Sequence, residues 1–254
     1  MFIDTHCHLH AREFNDETEK IIQRAIQNQV SSIITIGTDL TSSEKTMQLA
    51  DQFAIVYAAV GVHPNDLENM QESDLDKIRN LAGPKKLVAV GEIGLDYYRL
   101  YTSKEKQQHY LRKQIQLAKE LKIPIIIHNR EAHRDLYSIL IEEKAQEVGG
   151  VLHSFSGDHD FLESILKLNF YVSFTGAITF KNTSYFKLID RVPPEQLLLE
   201  TDSPYLAPAP FRGKRNEPSY IKYIAETISK IKNISIENLA KITSANAKSL
   251  FRID

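Results

Sequence analysis

Tryptophan is absent from the 254 residues, and cysteine occurs once, at position 7. A single thiol cannot build an internal disulfide framework, and a lone cysteine suits a reducing compartment. No apolar run approaches the ~20 residues that a membrane-spanning helix needs. The opening segment Met1-Phe2-Ile3-Asp4-Thr5-His6 has neither the basic nor the apolar region of a secretory signal. The chain is therefore expected to be cytoplasmic, without membrane contact. An excess of one charge is missing too: 31 Lys and Arg against 33 Asp and Glu give a formal net charge of −2. That balance argues against a protein that coats nucleic acid with a broadly basic face, while leaving room for a local patch that grips one strand end. No internal repeat, low-complexity tract or Gly/Ser linker interrupts the sequence. The expected organisation is one domain over 1–254, with no obligate protein partner.

What the sequence does contain is a regular alternation. Eight short aliphatic or β-branched runs fall at 2–8, 31–37, 55–62, 87–93, 123–128, 150–154, 170–175 and 197–201, separated by stretches of helical period. Strand and helix in alternation imply parallel βα units, and eight of them close an α/β fold of the (β/α)8 TIM-barrel type, for which roughly 250 residues suffice. Runs such as Ile125-Ile126-Ile127 and Leu197-Leu198-Leu199 are apolar throughout, as strands covered by helices require. Asp16 and Glu19 have the spacing of a capping box ahead of an apolar face at Ile22, Ala25 and Ile26. Ser103 is placed to cap a helix that buries Leu111, Ile115 and Ala118; Ile221, Ile224, Ala225, Ile228 and Ile231 make a further stripe, and Ser235 starts the last helix. All these stripes read as core packing. Periodicity alone also permits an open doubly wound sheet. The ionisable residues decide for the barrel.

Parallel barrels carry their active sites at the C-terminal strand ends, and here those ends are polar. The first run ends in His6-Cys7-His8, the third in Gly61-Val62-His63-Pro64, the fourth in Gly91-Glu92-Ile93-Gly94, the fifth in His128-Asn129-Arg130, the sixth in His153-Ser154 and the eighth in Glu200-Thr201-Asp202. Desolvating such groups costs several kcal/mol each unless something pairs with them, and a metal cluster would supply the partner. On a strand, residues two apart share a face, so His6 and His8 can reach one ion while Cys7 turns toward the helices. Barrel closure brings Asp202 beside the first strand, where it can bind metal or accept a proton from water; a turn or cap is the alternative. Glu92 lies across from Asp202 and can bridge two ions or form a buried ion pair. Glu200 either orients a ligand or belongs to an ion pair. Imidazole ligands suit zinc or manganese, and carboxylates widen the choice toward magnesium.

These segments together resemble the TatD family of metal-dependent DNases, within the broader amidohydrolase-like barrels. The matching stretches are Asp4-Thr5-His6-Cys7-His8-Leu9, Gly61-Val62-His63-Pro64, Gly91-Glu92-Ile93-Gly94-Leu95-Asp96-Tyr97-Tyr98, His128-Asn129-Arg130, His153-Ser154-Phe155-Ser156-Gly157, Thr201-Asp202-Ser203-Pro204-Tyr205-Leu206-Ala207-Pro208 and Arg212-Gly213-Lys214-Arg215-Asn216-Glu217-Pro218. They run in family order from residue 4 to residue 218. The resemblance implies a divalent-metal nuclease that trims DNA ends, with His6, His8, Glu92, His128, His153 and Asp202 as ligands. One departure is His10, where the family often carries Asp or Asn; an altered loop with an untouched metal site is expected.

With those ligands, two divalent ions per chain (magnesium, manganese or zinc) are expected, one on His6, His8, Asp202 and bridging Glu92, the other on Glu92, His128 and His153. Glu92 and Asp202 are the candidates to orient the attacking water. His63 is expected at the mouth, against a phosphate oxygen or behind a ligand. Arg130, Arg212, Lys214 and Arg215 are the candidate phosphate binders, because guanidinium suits bidentate phosphate contacts and the last loop of a barrel often holds phosphate. Of Tyr97, Tyr98 and Phe155, at most one is expected to stack on a base. The expected partner is DNA at single-stranded or 3′ ends, with RNA also open. The competing readings are an ester or amide hydrolase on the same site, such as a D-aminoacyl-tRNA deacylase, and a non-catalytic barrel that binds a partner.

Overall fold

A computed structural model describes residues 1–81, 83, 86–180 and 185–253. All eight expected runs form strands: β1 (Phe2–Cys7), β2 (Val30–Ile36), β3 (Val56–Val60), β4 (Leu87–Asp96), β5 (Ile125–Arg130), β6 (Gly150–Leu152), β7 (Tyr171–Phe174) and β8 (Leu197–Leu199). They pair in chain order, every neighbour parallel. The helices α1 (Thr18–Gln27), α2 (Leu40–Gln52), α3 (Glu72–Asn80), α4 (Lys104–Leu121), α5 (His133–Glu142), α6 (His159–Lys167) and α7 (Tyr185–Arg191) alternate with them, and α8 (Ile221–Lys232) and α9 (Ile236–Phe251) follow β8. Beyond the ends of the short β8, the ring is joined by the chain that continues it. Cys7 bridges Ser203, the His8 N–H donates to Ser203 O at 2.7 Å, and the Asp202 N–H donates to His6 O at 2.8 Å. The result is a nearly closed (β/α)8 barrel.

Two buried clusters account for the alternation along the strands. Outward-facing residues such as Ile33, Val60, Ile93 and Ile127 pack with Ile22, Leu111, Ile115 and Leu136 of the helices, and Cys7 sits among them, fully buried. Inward-facing Ile34, Ala59, Ile126 and Leu198 pack with Ala247, Phe251 and Ile253. Each Ile, Leu, Val or Phe among them, once buried, contributes about 1.5–3 kcal/mol. Asn246 donates to Pro194 O at 2.7 Å and to Leu197 O at 2.9 Å, and Ser244 to Met1 O at 3.0 Å. Helix α9 therefore covers the N-terminal strand ends and leaves the C-terminal ends as the open, polar mouth. Among the described residues, no helix is long and apolar enough to cross a membrane.

Element boundaries differ from the sequence reading where backbone geometry intervenes. Strands β1, β3, β6 and β8 stop before His8, His63, His153 and Asp202, which stand just beyond the strand ends; Ser154 and Asp202, with φ of 46° and 55°, turn the chain out of the sheet. Strand β4 instead runs past Ile93 to Asp96. Gly94 permits this, since its φ is 148° and an added Cβ would sit 1.9 Å from His128 O. The Asp16–Glu19 capping box does not form: Asp16 has φ 63°, the helix starts after Glu17, and that residue makes no side-chain cap bond. Ile21, Ile22 and Ala25 form the buried face of α1, while Ile26, at the edge of that face, is 45% exposed. The caps of Ser103 on Lys106 and of Ser235 on Asn238 form as expected.

Candidate metal centre

The barrel brings all six expected ligands into one mouth, and Glu92 stands at their centre. The pairing of β4 with β5 slips between Val90 and Ile93, and such an irregularity re-aims a side chain. Glu92 Oε2 lies 3.4 Å from His6 Nε2 and 3.7 Å from His8 Nε2. Its Oε1 lies 2.8 Å from His153 Nε2, 3.0 Å from His128 Nδ1 and 3.5 Å from His63 Nε2. Asp202 Oδ1 faces His8 Nε2 at 3.5 Å and His6 Nε2 at 3.8 Å. The rings of His6 and His153 stack at 3.9 Å. His63 is thus as close to the shared carboxylate as the expected ligands are, and with Glu92 and His128 it forms one of three potential metal-holding groups among the described residues. The other two are His6, His8 with Glu92, and His6, His153 with Asp202.

This donor set fits a divalent cation. Among the described residues, His6 Nδ1 and both ring nitrogens of His153 are buried without a hydrogen-bond partner, although Glu92 Oε1 lies 2.8 Å from His153 Nε2 as an ion-pair contact. The Nε2 atoms of His6 and His8 point at one another across 3.3 Å. Buried nitrogens left facing each other carry a desolvation cost that a shared cation would relieve. The carboxylates are ready to bind. Burial opposes the charge of Glu92, but the imidazoles of His153 and His128 outweigh it and hold the group well below its ordinary range. Asp202 is lowered in the same way, burial being overcome by His8, His6 and His153. Burial, aided by His128, pushes His63 down to about 3, which keeps that ring neutral.

Behind these groups lies a layer that the sequence reading named only in part. Glu200, fully buried, accepts from the Ser154 N–H at 2.6 Å and from the Ser173 hydroxyl at 2.7 Å, and approaches His153 Nδ1 to 3.7 Å. Asp96 was not singled out. Its Oδ2 lies 3.3 Å from His128 Nε2 and accepts from Asn65 Nδ2 at 3.1 Å, while its Oδ1 accepts from the N–H groups of Tyr98 and Arg99. The spacing Glu92, Gly94, Asp96 was the available signal, because alternate residues of a strand share a face. Asp4 was also missed: it accepts twice from Thr201, and burial lifts its pKa to about 8 against those bonds. His10 lines the mouth beside His8, ring centroids 5.6 Å apart, with Nδ1 3.3 Å from the Thr46 hydroxyl.

The expected ligands open into a cavity of about 790 Å³. Of the expected phosphate binders only Arg130 lines it; Arg99, absent from the sequence reading, lines it as well. Arg130 lies 3.9 Å above the ring of the exposed Tyr98. Arg215 is drawn elsewhere, donating at 2.6 Å both to Glu13 O and to Glu17 Oε2. Arg212 lies over the ring of Phe180 at 4.5 Å; neither it nor Lys214 lines the cavity. The loop is folded back by Asn216, which donates to Thr201 O and Tyr205 O, and by Glu217, held in a fork by Arg24 of α1. Tyr97 donates to Asp135 at 2.8 Å, and Phe155 is buried against Phe161.

Comparison with known proteins gives a consistent picture. The family model described as TatD related DNase matches residues 3–252. An uncharacterised metal-dependent hydrolase, YabD of Bacillus subtilis (strain 168), is 46% identical over 255 residues, covering 100% of both chains. The 3′-5′ ssDNA/RNA exonuclease TatD of Salmonella typhimurium (strain LT2) is 31% identical over 256 residues, with 98% of each chain covered. Among solved structures, the TatD homologue YJJV of Escherichia coli K12 superposes with a TM-score of 0.95 at 32% identity, over 100% of this chain and 98% of its own.

Proposed function

The chain belongs to the TatD-related DNase family and is a metal-dependent hydrolase, and from that premise we propose that it cuts phosphodiester bonds of single-stranded DNA, trimming the strand from an exposed end. The observation that carries this reading is the division of Glu92, whose Oε2 faces His6 and His8 while its Oε1 faces His63, His128 and His153. A carboxylate shared between two groups of imidazoles is a donor arrangement suited to two neighbouring cations. His6, His8, Asp202 and Glu92 would hold one ion; Glu92, His128 and His153 would hold the other, with His63 beside them. Divalent ions held there would supply neutralisation of phosphate charge and a lowered pKa for a bound water.

The chain's own groups do the rest. Asp202, kept ionised in the mouth, accepts the proton of the attacking water. His63, neutral and on the Oε1 side of Glu92, offers a hydrogen bond to a phosphate oxygen. Arg130 and Arg99, at the rim of the cavity, draw in the phosphate by charge-assisted hydrogen bonds. The relatives named as 3′-5′ ssDNA/RNA exonucleases, at 31% and 33% identity, support this substrate class.

The test is a time course on a 5′-labelled single-stranded oligonucleotide, using protein stripped of metal and then reloaded with Mn²⁺. The proposal expects a ladder shortened one nucleotide at a time, lost when EDTA is added. An untouched oligonucleotide, with release of the amino acid from aminoacyl-tRNA, would replace the nuclease reading by ester hydrolysis on the same site.

A further inference from the structure

The mouth of the cavity carries an apolar lip that the hydrolytic chemistry leaves unexplained. Tyr205 and Leu206 follow Asp202 by a few residues and line the cavity, yet they are 53% and 42% exposed. Their backbone, by contrast, is firmly held. The Tyr205 N–H donates to Asp202 O at 2.9 Å, and the fully buried Asn216 donates through Nδ2 to Tyr205 O at 2.6 Å and through its N–H to Pro204 O at 3.0 Å. Leu206 has φ 51°, a left-handed conformation that is strained for a residue with a side chain. Gly176 packs so closely beneath it that an added Cβ would lie 2.1 Å from Leu206 O. The backbone is thus fixed while both side chains stay exposed at the cavity mouth.

Two observations give the chemistry of that ligand. The Tyr205 ring lies 5.9 Å from the ring of His8, so whatever rests on it is adjacent to the ligand cluster. Arg99 and Arg130, the cations lining the cavity, have no carboxylate partner among the described residues, whereas Arg24, Arg112 and Arg215 elsewhere are paired with glutamates. The lip therefore suits a polyanion that presents flat apolar faces. A strand end with unpaired bases has both properties, and stacking on an aromatic ring tolerates any base. In a duplex the interior bases are stacked on both faces, and the terminal base is held by its paired partner.

We propose that Tyr205 and Leu206 form the platform on which the terminal unpaired base of the substrate strand stacks, so that the site selects single-stranded ends. The assignment rests on the nuclease reading and adds to it the groups that set strand specificity. Mn²⁺-loaded protein is given two single-stranded oligonucleotides, identical except that one ends in an abasic tetrahydrofuran residue. Wild type is expected to favour the base-bearing end by about 10- to 100-fold in kcat/KM. Tyr205→Ala brings this ratio close to one, Leu206→Gly lowers it, and Tyr205→Phe, which keeps the ring, retains it. A wild-type ratio near one overturns the platform without any variant. Retention of the full ratio by folded Tyr205→Ala overturns it as well, and in both cases the nuclease reading stands. Failure of wild type to cut either oligonucleotide overturns the nuclease reading on which the platform depends.

Discussion

Asp4 and Thr201 meet across the seam of the barrel: the Thr201 hydroxyl donates to Asp4 Oδ2 at 2.6 Å, and its backbone N–H to Oδ1 at 2.9 Å, between residues 197 positions apart. The same stretch holds two of the proposed metal ligands, since Asp202 follows Thr201 and His6 lies two residues beyond Asp4. Thr201→Val keeps the side-chain shape and leaves a buried carboxyl oxygen without its donor, which costs about 1–3 kcal/mol. The thermal midpoint is expected to fall by roughly 2–10 °C. A melt followed by circular dichroism checks this; an unchanged midpoint would mean the seam is held by other contacts.

Glu200 binds the backbone of Ser154 and the hydroxyl of Ser173, and so fixes the turn that presents His153. Groups that orient a metal ligand typically change affinity 10- to 100-fold when altered. Glu200→Gln should weaken Mn²⁺ binding about tenfold, with far-ultraviolet circular dichroism unchanged. Titration of the stripped protein gives the answer, and wild-type affinity in the variant would confine Glu200 to packing.

Arg130 and Arg215 belong to the same set of sequence candidates but stand in different surroundings. Arg130 lines the cavity; Arg215 is spent on Glu13 and Glu17. Arg130→Ala should raise KM for a single-stranded oligonucleotide about tenfold and flatten its dependence on salt by about one contact. Arg215→Ala should leave KM within about twofold, since an exposed ion pair contributes at most ~1 kcal/mol. Equal losses from both substitutions would return the last loop to the substrate path.

The barrel and its six central side chains were legible in the sequence for one physical reason. Strand runs such as Ile125-Ile126-Ile127 must be buried, and a polar residue such as His128 directly after them has few reasons to be there. Contacts made by loops carried no comparable pattern. The basic run Arg212–Arg215 was read by its position after the last strand, but Asn216 and Glu217 turn it toward α1, and Arg24, the partner of Glu217, lies 193 residues away. The start of α1 was misread because Asp16 adopts a left-handed backbone, which spacing cannot reveal. Asp96 was hidden because β4 was expected to end at Ile93, before the glycine that lets it continue beside His128.

The central claim is that Glu92 joins two imidazole groups around divalent cations. Its most direct test is calorimetric titration of metal-stripped wild type and Glu92→Ala with Mn²⁺. The account predicts two ions per chain for wild type and at least about 100-fold weaker binding for the folded variant, since a buried charged ligand is worth several kcal/mol. Equal stoichiometry and affinity in the two proteins would contradict it.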